Sequence, residues 1–189
     1  MRQNTLEQFC EKLSAKTPTP GGGSVAALSG ALACSLGSMV ARYSKEDATA
    51  EKWDKQRNRF LDLILEDSQA YDGVSAVFKL AKDDPARAGR MQEALAKAAA
   101  PPAEGLRLIA AFIAELAEFA PKAKGSVSSD LAVSAYESEA AARGFMLNVR
   151  ANTSMLKDKS AAGPLEAEAA KNLELLLAGA KRVREVVHG

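Results

Sequence analysis

An all-helical bundle is the fold this sequence predicts, and two observations carry that reading. Apolar residues recur every three or four positions in almost every segment, and no window sustains the apolar/polar alternation with β-branched residues that a strand requires. The chain of 189 residues is 47% hydrophobic. At that size it buries roughly 70% of its unfolded surface, so one domain over residues 1–189 needs no disulfide or structural metal. About six helices are expected, one of them kinked by proline.

Thr5 opens the first helix with Gln8 three positions on, a capping-box pattern, and Leu6, Phe9, Cys10 and Leu13 form its apolar face. Thr17-Pro18-Thr19-Pro20-Gly21-Gly22-Gly23 stops it, because proline cannot continue a helix and three glycines permit angles closed to other residues. This shaped loop leads into a second helix from about Ser24 to Tyr43. A long third helix is expected from about Ala48 to Ala81. Asp84 is the predicted N-cap of a fourth helix with Pro85 at its first position. Pro101-Pro102 should kink or break that helix before Leu106 to Phe119 resumes the pattern. After a loop over Pro121 to Ser128, Ser129 or Asp130 caps a fifth helix reaching about Asn152, and Gly163-Pro164 precedes a last helix ending near Val187.

Composition excludes several functions. Lys and Arg number 25 against 24 Asp and Glu, a formal net charge of +1, so the chain lacks the basic field that nucleic-acid binding relies on. Cys10 and Cys34 read as reduced core residues. The single histidine, His188, lies one residue from the C-terminus, which argues against catalytic triads and His-ligated zinc. Chemistry must then run on carboxylates, hydroxyls, amides, lysines or backbone dipoles. The apolar segment Val25 to Ala41 spans about 17 residues, the lower limit for a membrane span, and is punctuated by Ser29, Gly30, Ser35, Gly37 and Ser38. It follows acidic residues and a Pro/Gly turn, not a basic leader, so a cytoplasmic protein without membrane partners is expected.

Three features draw attention. The second helix has two faces: Val25, Leu28, Leu32, Leu36 and Met39 on one, and the small residues Ala26, Gly30, Ala33, Gly37 and Ala41 on the other, the latter suited to tight packing in the bundle or across a dimer. At its front, Gly21-Gly22-Gly23-Ser24 offers free N–H groups at a positive helix end, suited to a carboxylate or phosphate, although a glycine-rich turn is more often only a turn. In the third helix the apolar stripe Trp53, Phe60, Ile64, Tyr71, Val74, Phe78 is interrupted by Asp67. A carboxylate there costs several kcal/mol unless paired or neutralised, so it requires a partner, a raised pKa or a ligand. Asp62 and Glu66 point elsewhere and are expected to be solvated. The fifth helix carries a second polar stripe, Asp130, Ser134, Glu137, Ala141, Gly144, Asn148 and Asn152 stepping by three or four residues along one face. Asp130 and Asn148 lie about 27 Å apart along it, too far to grip one small group unless a second subunit brings one end round. Beside the stripe, Glu139 and Arg143 form an i,i+4 pair, ordinarily a surface salt bridge.

Taken in order, Lys16-Thr17-Pro18-Thr19-Pro20-Gly21-Gly22-Gly23-Ser24-Val25, Gly37-Ser38-Met39-Val40, Asp67 with Tyr71, Lys79-Leu80, Ser129-Asp130-Leu131 and Asn148-Val149 with Asn152 resemble the cyclodeaminase/cyclohydrolase family. This is the C-terminal half of formiminotransferase-cyclodeaminase together with its stand-alone bacterial relatives. The resemblance covers nearly the whole chain. It departs at Tyr43-Ser44-Lys45-Glu46-Asp47 and at Lys124, where family members often carry a Gly-Lys/Arg-rich-aromatic stretch and an asparagine.

The resemblance implies an all-helical homodimer acting on tetrahydrofolate one-carbon derivatives without metal or redox cofactor. Two reactions belong to the family: cyclisation of 5-formiminotetrahydrofolate with loss of ammonia, and hydrolysis of 5,10-methenyltetrahydrofolate to 10-formyltetrahydrofolate. Both pass through a tetrahedral carbon between two nitrogens and need a proton acceptor, a proton donor and a mould for the two nitrogens. Asp67 and Asp130 are the implied catalytic pair, one a proton shuttle and the other an anchor for the pterin's amino-pyrimidine edge, in either order. Pro20, Gly21, Gly22, Gly23, Ser24, Tyr71, Ser129, Asn148 and Asn152 are implied to hold substrate, with Lys79, Arg150 and Lys157 for the anionic glutamate tail. The alternative is a catalytically idle helical dimer that binds folate or a protein partner.

Overall fold

The computed structural model describes residues 4–188, and of Ala161 and His188 the backbone alone, so the expectation for the His188 imidazole lies outside the described side chains. Six α-helices follow in order: α1 (Leu6–Ser14), α2 (Gly22–Tyr43), α3 (Asp47–Phe78), α4 (Arg87–Phe119), α5 (Ser128–Thr153) and α6 (Lys159–His188), with two 3₁₀ turns, Ala120–Lys122 and Gly125–Val127, between α4 and α5. No strand occurs among the described residues. Thr5 caps α1 through the full capping box with Gln8.

α2 runs through the centre of the bundle, against α3 on one side and α5 on the other. Its small residues make this possible. Gly30 lies under the Phe60 ring, where an added β-carbon would stand 2.8 Å from the ring, and Gly37 lies under Phe112 and Trp53. Trp53 meets Phe112 and Phe119 edge-on at 5.4 and 5.3 Å, and Phe60 stacks on Phe145 at 6.2 Å. Trp53, Phe60, Phe112 and Phe145 are all buried, each contributing on the order of 1.5–3 kcal/mol. The larger residues of α2 turn outward instead: Leu32 is 46% exposed and Val25 37%. A face of bulky apolar side chains is therefore left uncovered, while the aromatic side chains of the neighbouring helices fill the grooves over the glycines. α2 is long and apolar enough to cross a membrane by composition, but its small-residue side is buried inside the bundle.

Several boundaries differ from the sequence expectations. α2 begins at Gly22, so the last two glycines are its first turn and Gly21 is its N-cap. Asp84 does not cap α4; its Oδ1 accepts from Ala86 N–H at 2.8 Å, closing a separate turn, and the helix starts at Arg87. α4 is not broken at Pro101-Pro102. Pro102 cannot donate to the Ala98 carbonyl four residues back, and Asn152 Nδ2 donates to that oxygen instead, at 3.1 Å. α6 starts at Lys159 and carries Pro164 inside it. Cys34 is buried, which pushes its thiol well above the ordinary range, but Cys10 is exposed and is no core residue. Of the apolar face expected for α1, only Phe9 is buried; Leu6 is 73% exposed.

Candidate active site

The site begins with the steric demands of a helix start. The cis Thr19–Pro20 peptide and extended Gly21 bring the chain into α2, whose first N–H groups have no intrahelical acceptors. α3 lays Asp67 across this end. Its Oδ1 occupies the space a β-carbon on Gly23 would need, 2.1 Å from that position, so only glycine admits the carboxylate so close to the helix axis. The Ser24 hydroxyl donates to Asp67 Oδ2 at 3.0 Å, and Ser24 is fully buried. Burial pushes the Asp67 carboxyl above the usual carboxylate range, while the hydroxyl and backbone N–H of Ser24 limit the rise. The acid that interrupts the apolar stripe thus has both a partner and a perturbed pKa.

A cleft of about 290 Å³ opens beside it, lined by the glycine turn, Asp67, Tyr71, Asn148 and Asn152. The two asparagines come from the last turns of α5, which runs antiparallel to α2: Asn148 lies against Gly22, Gly144 against Ala26, and the Ser134 hydroxyl donates to the Ala33 carbonyl. Each asparagine spends its amide nitrogen on backbone carbonyls, Asn148 on Gly144 at 2.8 Å and Asn152 on Ala98 and Asn148 at 3.1 and 3.0 Å. Since both N–H bonds of Asn152 are engaged, its Oδ1 is left as an acceptor for a ligand. The proline in α4 thereby orients a side chain of the cleft.

Other predicted residues lie elsewhere. Ser129 and Asp130 sit in the first turn of α5, the opposite end of that helix from the asparagines, and line no part of this cleft. Lys79 and Arg150 are exposed outside it, and Pro20 is buried behind the turn. Lys157 lines a neighbouring cavity. The two departures from the family pattern meet, the Lys124 N–H donating to Ser44 Oγ at 3.0 Å, at the Asp130 end of the bundle. Glu66 is not simply solvated; with Glu104 it clamps Arg59 at 2.5 and 2.6 Å, tying α3 to α4. Glu139 bonds Arg143 as expected, and Arg184 of α6 as well. Pro18, Thr19, Val74, Phe78, Ala98, Ala151 and Met155 also line the cleft. Val74 and Phe78 were visible in the sequence as members of the Asp67 stripe, while the small apolar residues carried no signal.

A carboxylate of raised pKa, unpaired helix N–H groups, oriented neutral amides and an aromatic wall in one cleft define a class: an all-helical enzyme that moves protons on a small molecule. The sequence profile described as formiminotransferase-cyclodeaminase matches residues 5–171, and the chain belongs to that family. Methenyltetrahydrofolate cyclohydrolase of Methylorubrum extorquens is 34% identical over 97% of this chain and 94% of its own length. Formimidoyltransferase-cyclodeaminase of Sus scrofa is 28% identical over 93% of this chain, which spans only 35% of that longer protein. The crystal structure of formiminotetrahydrofolate cyclodeaminase from Thermotoga maritima superposes with a TM-score of 0.91 at 25% identity, covering 100% of this chain and 98% of that one.

Proposed function

We propose that this chain is a folate one-carbon enzyme that hydrolyses 5,10-methenyltetrahydrofolate to 10-formyltetrahydrofolate, with Asp67 as its proton shuttle. The observation that carries the reading is the Asp67 carboxyl held by Ser24 across the N-terminus of α2, in a cleft large enough for a flat ring. Water attacks the methenyl carbon and gives a proton to the Asp67 carboxylate. The carbon–N5 bond then breaks, its electron pair stays on N5 and Asp67 returns the proton there, while the added hydroxyl loses its remaining proton to solvent as the C=O forms, leaving the formyl group on N10. Acid/base help of this kind is worth about 10²–10⁴ in rate. The N–H groups of Gly22 and Gly23, in the first turn of α2 and so without acceptors inside the helix, are suited to stabilise negative charge developing on the added oxygen. Tyr71 packs beside the ring, and Asn148 and Asn152 offer acceptors to ring N–H groups. The balance uses only water and proton transfers, so neither metal nor redox cofactor is required.

The likeness to a cyclodeaminase structure favours a second reaction at the same site, in which N10 of 5-formiminotetrahydrofolate attacks the formimino carbon and ammonia leaves. The uncovered apolar residues of α1 and α2 support a homodimer. In such a dimer Asp130 and Ser129, stranded at the far end of α5, reach the cleft of the other subunit. We place the enzyme in the cytoplasm. Purified protein is expected to bleach the near-ultraviolet absorbance of methenyltetrahydrofolate, or to release ammonia from formiminotetrahydrofolate. Inactivity on both favours instead the catalytically idle helical dimer that binds folate or a protein partner.

A further inference from the structure

The walls of the cleft are not all held alike. Asp67 is fixed by Ser24, and Asn152 by the Ala98 carbonyl. Pro18, Thr19 and Gly21 form another wall, and they belong to the segment that joins α1 to α2. The described hydrogen bonds of residues 5–20 stay within residues 4–20: Thr5 with Gln8, Ala15 N–H to the Lys12 carbonyl, Thr17 N–H to the Ala15 carbonyl at 2.8 Å, and the Thr17 hydroxyl to the Thr19 carbonyl at 3.2 Å. Packing must then hold this wall, and it does so at two points. Phe9 and Pro20 are buried, whereas every side chain from Cys10 to Pro18 is exposed. Phe9 is the one buried residue of α1; it joins the same core as Ile64, against which Leu28 and Leu61 pack. A cavity of about 350 Å³, lined by Thr5, Leu6, Phe9, Leu28, Leu61 and Ile64, separates the rest of α1 from α2 and α3. The helix stands off the bundle on a single aromatic peg.

The seat of that peg adjoins the chemistry. Ile64 lies three residues before Asp67 on α3 and Leu28 four residues after Ser24 on α2, so each is one helical turn from the Ser24–Asp67 hydrogen bond. Resting on the reading of this cleft as the active site, we propose that Phe9 is a positioning residue for the substrate: seated beside Leu28, Leu61 and Ile64, it holds the Pro18-Thr19 wall against the cleft. Burying one such ring favours the seated state roughly ten- to a hundredfold. The apparent affinity of the cleft scales with the fraction of molecules in that state. Asp67, Ser24 and the first amides of α2 stay in place when Phe9 leaves its seat, so the reaction of bound substrate does not depend on it.

The test reads KM and kcat separately on 5,10-methenyltetrahydrofolate. Phe9→Ala is expected to raise KM about three- to tenfold while kcat and its acid limb keep their wild-type values. Phe9→Leu, which still fills the seat, keeps KM within about twofold of wild type, and Glu11→Ala, on the exposed side of α1, leaves it unchanged. Wild-type KM in Phe9→Ala overturns the proposal. So does a fall in kcat with a displaced acid limb, which would put the effect of Phe9 on Asp67 and not on the wall. Should Phe9→Ala fail to fold, Leu61→Ala, which widens the seat from α3, takes its place with the same readouts. Hydrogen exchange separates this proposal from the folate reading: in Phe9→Ala the amides of residues 9–21 are expected to exchange roughly tenfold faster, with those of α3 to α6 unchanged. That result in a protein whose wild type turns over neither folate upholds the peg while the catalytic reading falls. Unchanged exchange refutes the peg even where methenyltetrahydrofolate is hydrolysed.

Discussion

Gly23 and Asp67 share one volume: the carboxylate oxygen of Asp67 stands where any side chain at position 23 would begin. Gly23→Ala must therefore move Asp67, which is feasible because the obstacle is the end of a side chain and not backbone. The fold is expected to survive, with helical circular dichroism unchanged, while turnover drops at least tenfold because the shuttle no longer sits at the helix end. Wild-type kcat in this variant would remove the pairing from the mechanism.

Asp67→Asn separates stability from activity. Burial raises the carboxyl's pKa in the folded protein above its unfolded value, so the charged form is the one the fold disfavours. The stability this group contributes is complete below the unfolded pKa of about 3.9 and is lost as pH rises through the higher folded value. The asparagine variant escapes that loss. Its melting temperature is expected to match or fall below wild type at pH 3.5 and to exceed it at pH 7, while turnover falls about 10²–10⁴-fold.

Ser24→Ala tests the hydroxyl that restrains the same pKa. Losing its donation to Oδ2 removes an interaction that favours the ionised form, so the Asp67 pKa rises further. Since the shuttle must start ionised, the acid limb of kcat/KM is expected to move to higher pH, with smaller losses at alkaline pH than at neutral. A uniform loss across the profile would point to packing instead.

Pro102 and Asn152 make a pair that a double substitution can dissect. Asn152→Leu strips the Ala98 carbonyl of its donor and should cost about 1–3 kcal/mol in denaturant unfolding, together with a higher KM. Adding Pro102→Ala restores a backbone N–H four residues from that carbonyl. Stability is then expected to return while KM stays high, because the helix has been repaired and the ligand acceptor has not. Recovery of both would make Asn152 a purely structural residue.

The legible part of this molecule was the part encoded by local pattern. The helical period and the interruption of one apolar stripe by Asp67 were enough to expect six helices and a carboxyl in need of a partner. Helix starts were less legible, because Gly22 and Gly23 are poor helix formers that tertiary packing against Asp67 and Asn148 nevertheless holds in a helical turn. Pro102 misled for a related reason: the bond it removes is supplied from another helix, a compensation no local window contains.

The position of Asp130 yields the sharpest test of how the site is assembled. α5 separates it from Asn148 by about 27 Å, so in one chain it stands at the wrong end of the bundle. If the proposed homodimer joins the two ends, each site takes Asp67 from one subunit and Asp130 from the other. Asp67→Asn and Asp130→Asn are then each inactive alone. Co-refolded in equal amounts, half of the dimers pair one variant with the other, and in each of these one site carries both substitutions while the other carries neither. About a quarter of wild-type activity should return. Leu32→Arg, placing a charge on the uncovered face of α2, is expected to yield monomers by sedimentation and to abolish that recovery. Full activity of Asp130→Asn by itself, or no recovery on mixing two inactive variants that do form mixed dimers, would confine the chemistry to the Asp67 cleft of a single chain.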